Sequence, residues 1–508
     1  MHTHTRIFPL LALLSGCYHG LDLDEASGFS GGPAGPDEPT GANGSSTGAA
    51  EDTNDDAASD DGDDDDDDSS GGSDDGGEPV DGLQLGDECL ACGCVASHAR
   101  AASPSLGDDL RVDLAAMPDG GTLLAAAGSD AVNLTRFDEY GAQTWSRNLS
   151  GTVEDVQVIA VGLGFYVLAG SFRGALELAP NNPTAKLTSA GGLDAFVSFH
   201  SENDAGAPIW HRTFGDSEDQ RITDLARTGD CHGKKLDDCR LHLAGIAVGM
   251  LGLLDDPPNS ESTDYFLLGL PADTANGAAW SLRVTSGVVS PPPPSLAVTA
   301  ADDLVLATTL VEDDDPGDIV IQQMNRDGTA QWTHRIVAAG EQFVGQIAAA
   351  HDGSLRLSGR TRSQIGLAGV ALGTDGVMTP FLAGLDGVGE PTWAHAIAGW
   401  PPEAAGLAVS GNRTMLTGYV NDEADFGGGV LPFGGGRDVF IARYDPSGAH
   451  RCSGLYGGLD SQSGLLAISD GEHRVHLVAR VRGSIAFASG EWLASETAED
   501  LMVATYEF

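Results

Sequence analysis

The residues with the most direct chemistry are the seven cysteines. Cys89, Cys92 and Cys94 form a C-x-x-C-x-C run, Cys231 and Cys239 flank the loop in GDCHGKKLDDC, and Cys17 and Cys452 stand alone. Three thiolates at such spacing fit a metal clip as well as disulfides. The only imidazole near them is His98, and an exported chain oxidises its thiols, so disulfides are the expectation and no resident metal is assigned. Without Cys17 six remain, an even number. Cys231 and Cys239 are expected to pair, worth on the order of 2–3 kcal/mol for so short a loop. The other four would give one local bridge and one long bridge from the 89–94 cluster to Cys452. His211, His334 and His395 follow tryptophans by one or two positions, in different phases, and read as a solvated strand face rather than a metal site. Acidic residues gather at expected hairpin tips such as Asp255-Asp256 and Asp313-Asp314-Asp315, where turns favour Asp. No nucleophile elbow, phosphate loop or H-E-x-x-H is present, so no catalytic residue and no cofactor is assigned.

The N-terminus explains why export is expected. Arg6 precedes IFPLLAL and then Leu14-Ser15-Gly16-Cys17, too short for a permanent bilayer span and shaped like a signal peptide. The segment resembles a bacterial lipobox, which implies cleavage after residue 16 and lipid on Cys17. More than one acyl chain on that cysteine makes a stable membrane anchor. Tyr18 stands where aspartate often marks inner-membrane retention in such lipoproteins, which points to the outer membrane. Residues 17–82 carry no Lys or Arg, are rich in Gly, Ser and Asp, and include the run Asp63 to Asp68. Such a segment cannot bury enough apolar surface to order itself, so a disordered acidic tether with a reach of about 45 Å is expected. Its carboxylates suit weak calcium attraction but lack the spacing of a calcium loop. With 26 basic against 75 acidic residues the formal charge is -49, which excludes binding of nucleic acid by phosphate neutralisation.

Residues 83–508 hold short runs of Val, Leu, Ala and Phe broken by Gly- and Asp-rich turns, without sustained helical periodicity; an all-β chain follows. A unit recurs within it. DAVNLTRFDEYGAQTW (130–145), DAFVSFHSENDAGAPIW (194–210) and DVFIARYDPSGAHRC (438–452) share one grammar. Aligned copies end at Trp145, Trp210, Trp280, Trp332, Trp393 and Cys452, at intervals of 52–70 residues. Seven further segments, among them FYVLAGSF (165–172), LHLAGIA (241–247) and LRLSGRT (355–361), end on small residues suited to a crowded place. A fixed period of this length marks propellers and solenoids. The units resemble a bacterial seven-bladed β-propeller repeat family reading D-A-F-V-x-x-F/Y-D-x-x-G-x-x-x-W. That resemblance covers nearly all of 110–508 and implies seven four-stranded blades. The last unit begins near 463 and reaches its third strand in DLMVATYEF (500–508). An unpaired outer edge invites sticking, so part of 83–110, and of 83–100 in particular, is expected to supply the closing strand.

The D-x-x-G-x-x-x-W hairpin also looks like the tryptophan docking motif of quinoproteins, and Asn325 to Trp332 approaches a sialidase Asp-box. Packing between blades accounts for the tryptophans without a cofactor, and an Asp-Gly turn accounts for the second match. The expected function is therefore a lipid-anchored envelope propeller, a monomeric ring presenting loops to a protein or glycan ligand. The alternative is an extracellular hydrolase or lyase with its site at the axial mouth, since propellers host both.

Overall fold

The protein is described by a computed structural model covering residues 96–102 and 110–508, apart from 163, 181, 204–206, 232–235, 250–262, 274–279, 287–290, 313–314, 398–402, 458–459, 472 and 489–490. Cys17, the 17–82 tether, Cys89, Cys92, Cys94, Asp255-Asp256 and Asp313-Asp314 lie outside the described residues.

Among the described residues the regular structure is antiparallel strand, with one short 3-10 turn at Pro183–Ala185. The described strands pair into five four-stranded sheets, one sheet of eight strands and two small two-stranded ribbons. In the eight-stranded sheet the long strand Gln143–Ala160 serves two units. Its first half pairs with Ala131–Phe137 and ends at Ser150; its second half pairs with Phe165–Glu177 from Thr152 onward. Gly151 makes the corner, at a φ of 146° and with a Cβ position that the Ala175 carbonyl oxygen would occupy. The chain is thus an all-β propeller built from four-stranded units, the expected fold class.

Each unit runs from an inner strand to an outer one, and in five units the outer strand holds or begins near a tryptophan. The Trp280 unit is typical: Gln220–Thr228, Arg240–Ala247, Asp264–Pro271 and Trp280–Thr285 pair in that order. Hydrophobic cores lie between neighbouring sheets. One cluster joins Val167 and Val197 of the Trp210 unit to Leu241, Leu243 and Phe266 of the next. The third strands are buried on both faces, as at Asp194–Ser201 and Asp438–Tyr444, which explains their near-continuous apolar sequence.

The small residues near the ends of the second strands have a local cause. Inner strands carry bulges at equivalent places, between Val153 and Asp155, Ile222 and Asp224, and Val344 and Gln346. A Cβ at Gly170 or Gly245 would strike the bulge carbonyl of Asp155 or Arg221, and the third-strand rings Phe196 and Phe266 lie over the same glycines.

The unit after Cys452 is completed from the N-terminal side. His98–Ala102 pairs antiparallel with Glu491–Glu507, from His98 opposite Thr505 to Ala102 opposite Leu501. The sheet order is therefore His98–Ala102, Glu491–Glu507, Arg474–Ala488, Gln462–Ser469. Ser97 adds two bonds to the Thr505 carbonyl, from its N–H at 2.7 Å and its hydroxyl at 3.0 Å.

Candidate functional site

The repeated Asp-x-x-Gly hairpin is a turn before it is anything else. Asp138, Asn325, Asp386 and Asp445 each accept, through Oδ1, the N–H groups two and four residues ahead, at 2.8–3.0 Å. The glycines that follow, Gly141, Gly328, Gly389 and Gly448, take φ of 77–86°, where a side chain is strained. At the last three of these, a second requirement is space. A Cβ on Gly328, Gly389 or Gly448 would collide with Trp280, Trp332 or Trp393 of the preceding unit.

Each repeat tryptophan therefore docks on the next unit's turn. Trp280 donates its indole N–H to the Arg326 carbonyl at 2.9 Å, Trp393 to Pro446 at 3.3 Å and Trp210 to Ala272 at 3.1 Å. Trp145 packs, as does Ala207 of the next unit, on the core cluster between the first two units. At Trp210, Trp280 and Trp393 the ring buries area between two sheets while its one polar atom finds a turn carbonyl, whereas the buried Trp332 indole N–H meets the Gly389 turn without a hydrogen bond; the resemblance to a cofactor-docking motif thus has a packing explanation. The histidines sit in the same seam. His395 Nε2 lies 2.6 Å from the Gly448 carbonyl oxygen and His334 Nδ1 lies 3.4 Å from Glu390. His211 is half-buried, and burial lowers its pKa. His334 and His395 thus meet the neighbouring turn rather than open solvent, and among the described residues no group of three or more His, Cys, Asp or Glu could hold a metal ion.

The same seam explains Cys452. Its outer strand, His450–Tyr456, faces a unit whose outer strand is His98–Ala102, so no hairpin joins that unit's third and outer strands. The turn on which a tryptophan would dock is missing. Cys452 is fully buried and disulfide-bonded. Nearby, Phe508 lies under the Arg443 guanidinium, 4.0 Å from carbon to ring centre. Cys231 and Cys239 are bonded to each other with Cα atoms 4.8 Å apart, pinning the loop between the first two strands of the Trp280 unit.

Two buried arginines went unnoticed in the sequence. Arg136 donates to both carboxylate oxygens of Asp119 at 2.6 Å and to Glu202 of the next unit at 2.8 Å. Arg356 donates to Thr414 Oγ1 at 3.1 Å, Ser354 Oγ at 2.9 Å and three backbone carbonyls, two of them at Asn412 and Pro446 in the following unit. Burial lowers its pKa. No motif announced either residue; an arginine inside an otherwise apolar strand was the one available signal.

The inner strands enclose a cavity of about 780 Å³ to which every unit contributes. That volume lies within the range of small-molecule sites. Side chains at its wall bridge from one inner strand to the next. Asp113 accepts the Val158 N–H at 2.6 Å, Ser295 accepts the Ile347 N–H at 3.2 Å and Gln346 accepts the Leu407 N–H at 2.6 Å. Asp224 accepts the N–H groups of Leu296 at 2.7 Å and Leu225 at 2.8 Å and the Ser295 hydroxyl at 3.3 Å. An inner strand has an unpaired edge, and these side chains satisfy it.

Two of these carboxyls are unusual. Burial pushes Asp113 up to about 7, against the bonds from Val158 and Leu114, and the charge of Asp224 adds to the rise. Burial likewise raises Asp224 to about 6, opposed by its three donors. An acid and a base of near-neutral pKa in one cavity are the ingredients of proton transfer. Neither residue belongs to a motif in the sequence.

No protein-family model and no curated protein matches the chain. Among solved structures, the chain is similar to the Dos1 propeller at 7% identity, with 76% of this chain and 74% of that one covered and a TM-score of 0.38. It is similar to the polysaccharide lyase Uly1 at 10% identity, covering 76% and 88%, with a TM-score of 0.40. A protein of unknown function from Dyadobacter fermentans gives 10%, 81% and 99%, and 0.36. Likenesses this low carry no functional argument, and the fold assignment rests on the strand pairing.

Proposed function

We propose that this protein is a bacterial lipoprotein whose seven-bladed propeller is a binding module at the cell envelope. Lipid on Cys17 holds it, by this reading, to the outer membrane, and the acidic segment 17–82 keeps the ring clear of the surface. The ring is monomeric and its ligand is a protein or a glycan.

One observation carries the reading. The side chains whose spacing resembles catalytic or cofactor motifs are engaged in holding the ring together: Asp138 and its equivalents shape their own turns through turn N–H groups, while tryptophans and His395 dock on the turn of the next unit. A rigid scaffold of this kind leaves recognition to its connecting loops. The alternative, a hydrolase or lyase working at the axial mouth, draws support from Asp113 and Asp224 alone. Paired carboxyls with separated pKa values can divide the acid and base roles.

A screen of the purified protein against glycan and envelope-protein panels, with and without calcium, tests the function. Saturable binding without turnover is expected; release of products from a polysaccharide or peptide, abolished in Asp113→Asn, would replace binding with catalysis. Membrane attachment is tested by Cys17→Ala, which should move the protein from the detergent-dependent fraction to the soluble one. Unchanged fractionation would remove the lipid anchor.

A further inference from the structure

The inner-strand cavity holds two carboxyls, Asp113 and Asp224, that form no ion pair among the described residues, although Arg227 shares the lining. They enter it from strands Arg111–Ala116 and Gln220–Thr228 and receive backbone N–H and hydroxyl donors only. The other charged residues at the wall have other work. Asp302 accepts the Gly229 N–H through both oxygens and lies 4.0 Å from Arg326, Asp470 caps a turn through the N–H groups of His473 and Arg474, and Arg227, whose pKa burial lowers, is partly compensated by the charge of Asp302. Carboxylates in a protein interior are as a rule paired with a cation or neutralised by a proton. Aliphatic side chains, Ile159, Leu225 and Val298 among them, share the wall.

We propose that this cavity binds a small organic ammonium ion, with Asp113 and Asp224 as its counter-charges and the aliphatic wall against its carbon chain. A bare metal ion fits less well, because the space far exceeds one ion and no cluster of three or more ligating side chains is present among the described residues. The proposal is independent of what the outer loops bind: it can fail while the envelope-module reading stands, and the reverse.

Binding is linked to proton release, and the sign is fixed. Both carboxyls titrate above the usual carboxylate range, at about 7 and about 6. Below those values they are protonated and must lose protons to receive a cation. Affinity therefore rises with pH through this window and levels off above it.

The test is calorimetric titration of the full-length protein in detergent with 1,4-diaminobutane, at about pH 8 and about pH 5, with 1,4-butanediol as the uncharged match. Saturable diamine binding at the higher pH is expected, at least about tenfold weaker at the lower pH and in the Asp113→Asn/Asp224→Asn double variant, with no diol binding. Asparagine keeps an oxygen for the backbone N–H donors, so the ring should survive the change. Should the double variant fail to fold, the native protein still decides. An ordinary exposed carboxylate stays ionised at about pH 5, so diamine attracted by the acidic segment alone would still bind there, whereas binding in the cavity weakens at least about tenfold. No saturable binding, equal affinity at both pH values, equal affinity in a folded double variant, or equal binding of the diol would each overturn the proposal.

Discussion

Replacing Cys452 with serine is expected to lower the thermal unfolding midpoint more than any other cysteine substitution, by a destabilisation of about 2–5 kcal/mol. The reason lies in the seam. Elsewhere a tryptophan docks on the next unit's turn, whereas here the turn does not exist and a buried, disulfide-bonded cysteine takes the position. By our proposal its partner is one of Cys89, Cys92 and Cys94, just ahead of the strand His98–Ala102 that completes the last sheet. The bond would then tie the N-terminal segment to the unit on which the ring closes, and a loop of several hundred residues lies near the top of the range for entropic stabilisation. The measurement is a melting curve of the variant beside the native protein, both in a background lacking Cys231 and Cys239. Peptide mapping without reductant identifies the partner. A midpoint unchanged by the substitution would show that the seam is held by strand pairing alone.

Replacing Arg136 with methionine is expected to cost about 2–4 kcal/mol. Arg136 is only 4% exposed and binds Asp119 and Glu202, in its own unit and the next. Methionine fills part of the volume but leaves Glu202, itself only 20% exposed, without its cation. Asp119 is 60% exposed and can return to solvent, which keeps the estimate toward the lower part of the range for broken buried pairs. Denaturant titration measures the loss. A second substitution, Glu202→Gln, should recover part of it by removing the stranded charge. A loss equal in both backgrounds would assign the effect to packing.

The inter-unit contacts differ in how readable they were. The Asp-x-x-Gly turn and the small residue after each second strand lie within one unit, and each is imposed by local geometry: an Asx turn, a positive φ, an inner-strand carbonyl. Such causes act over a few residues and leave a spacing that repeats. His395 was misjudged as solvated because its partner, the Gly448 carbonyl, is 53 residues away in the next turn. Arg356 shows the same limit, since its acceptors at Asn412 and Pro446 belong to a different unit.

The sequence by itself determined the strands, the turns, the repeat and the all-β fold, because hydrophobic alternation and turn chemistry are local and were written several times over. It also showed that the unit after Cys452 lacks an outer strand of the repeated kind. It pointed to 83–110 as the source of the closing strand, and the tertiary structure decided that His98–Ala102 is that strand, that the inner strands enclose a cavity, and that Asp113 and Asp224 share it. Those two carboxyls come from strands more than a hundred residues apart, and closing the chain on itself is what places both on one wall. Their raised pKa values follow from that enclosure, with the charge of Asp224 adding to the rise at Asp113, and neither cause has a counterpart in residue spacing.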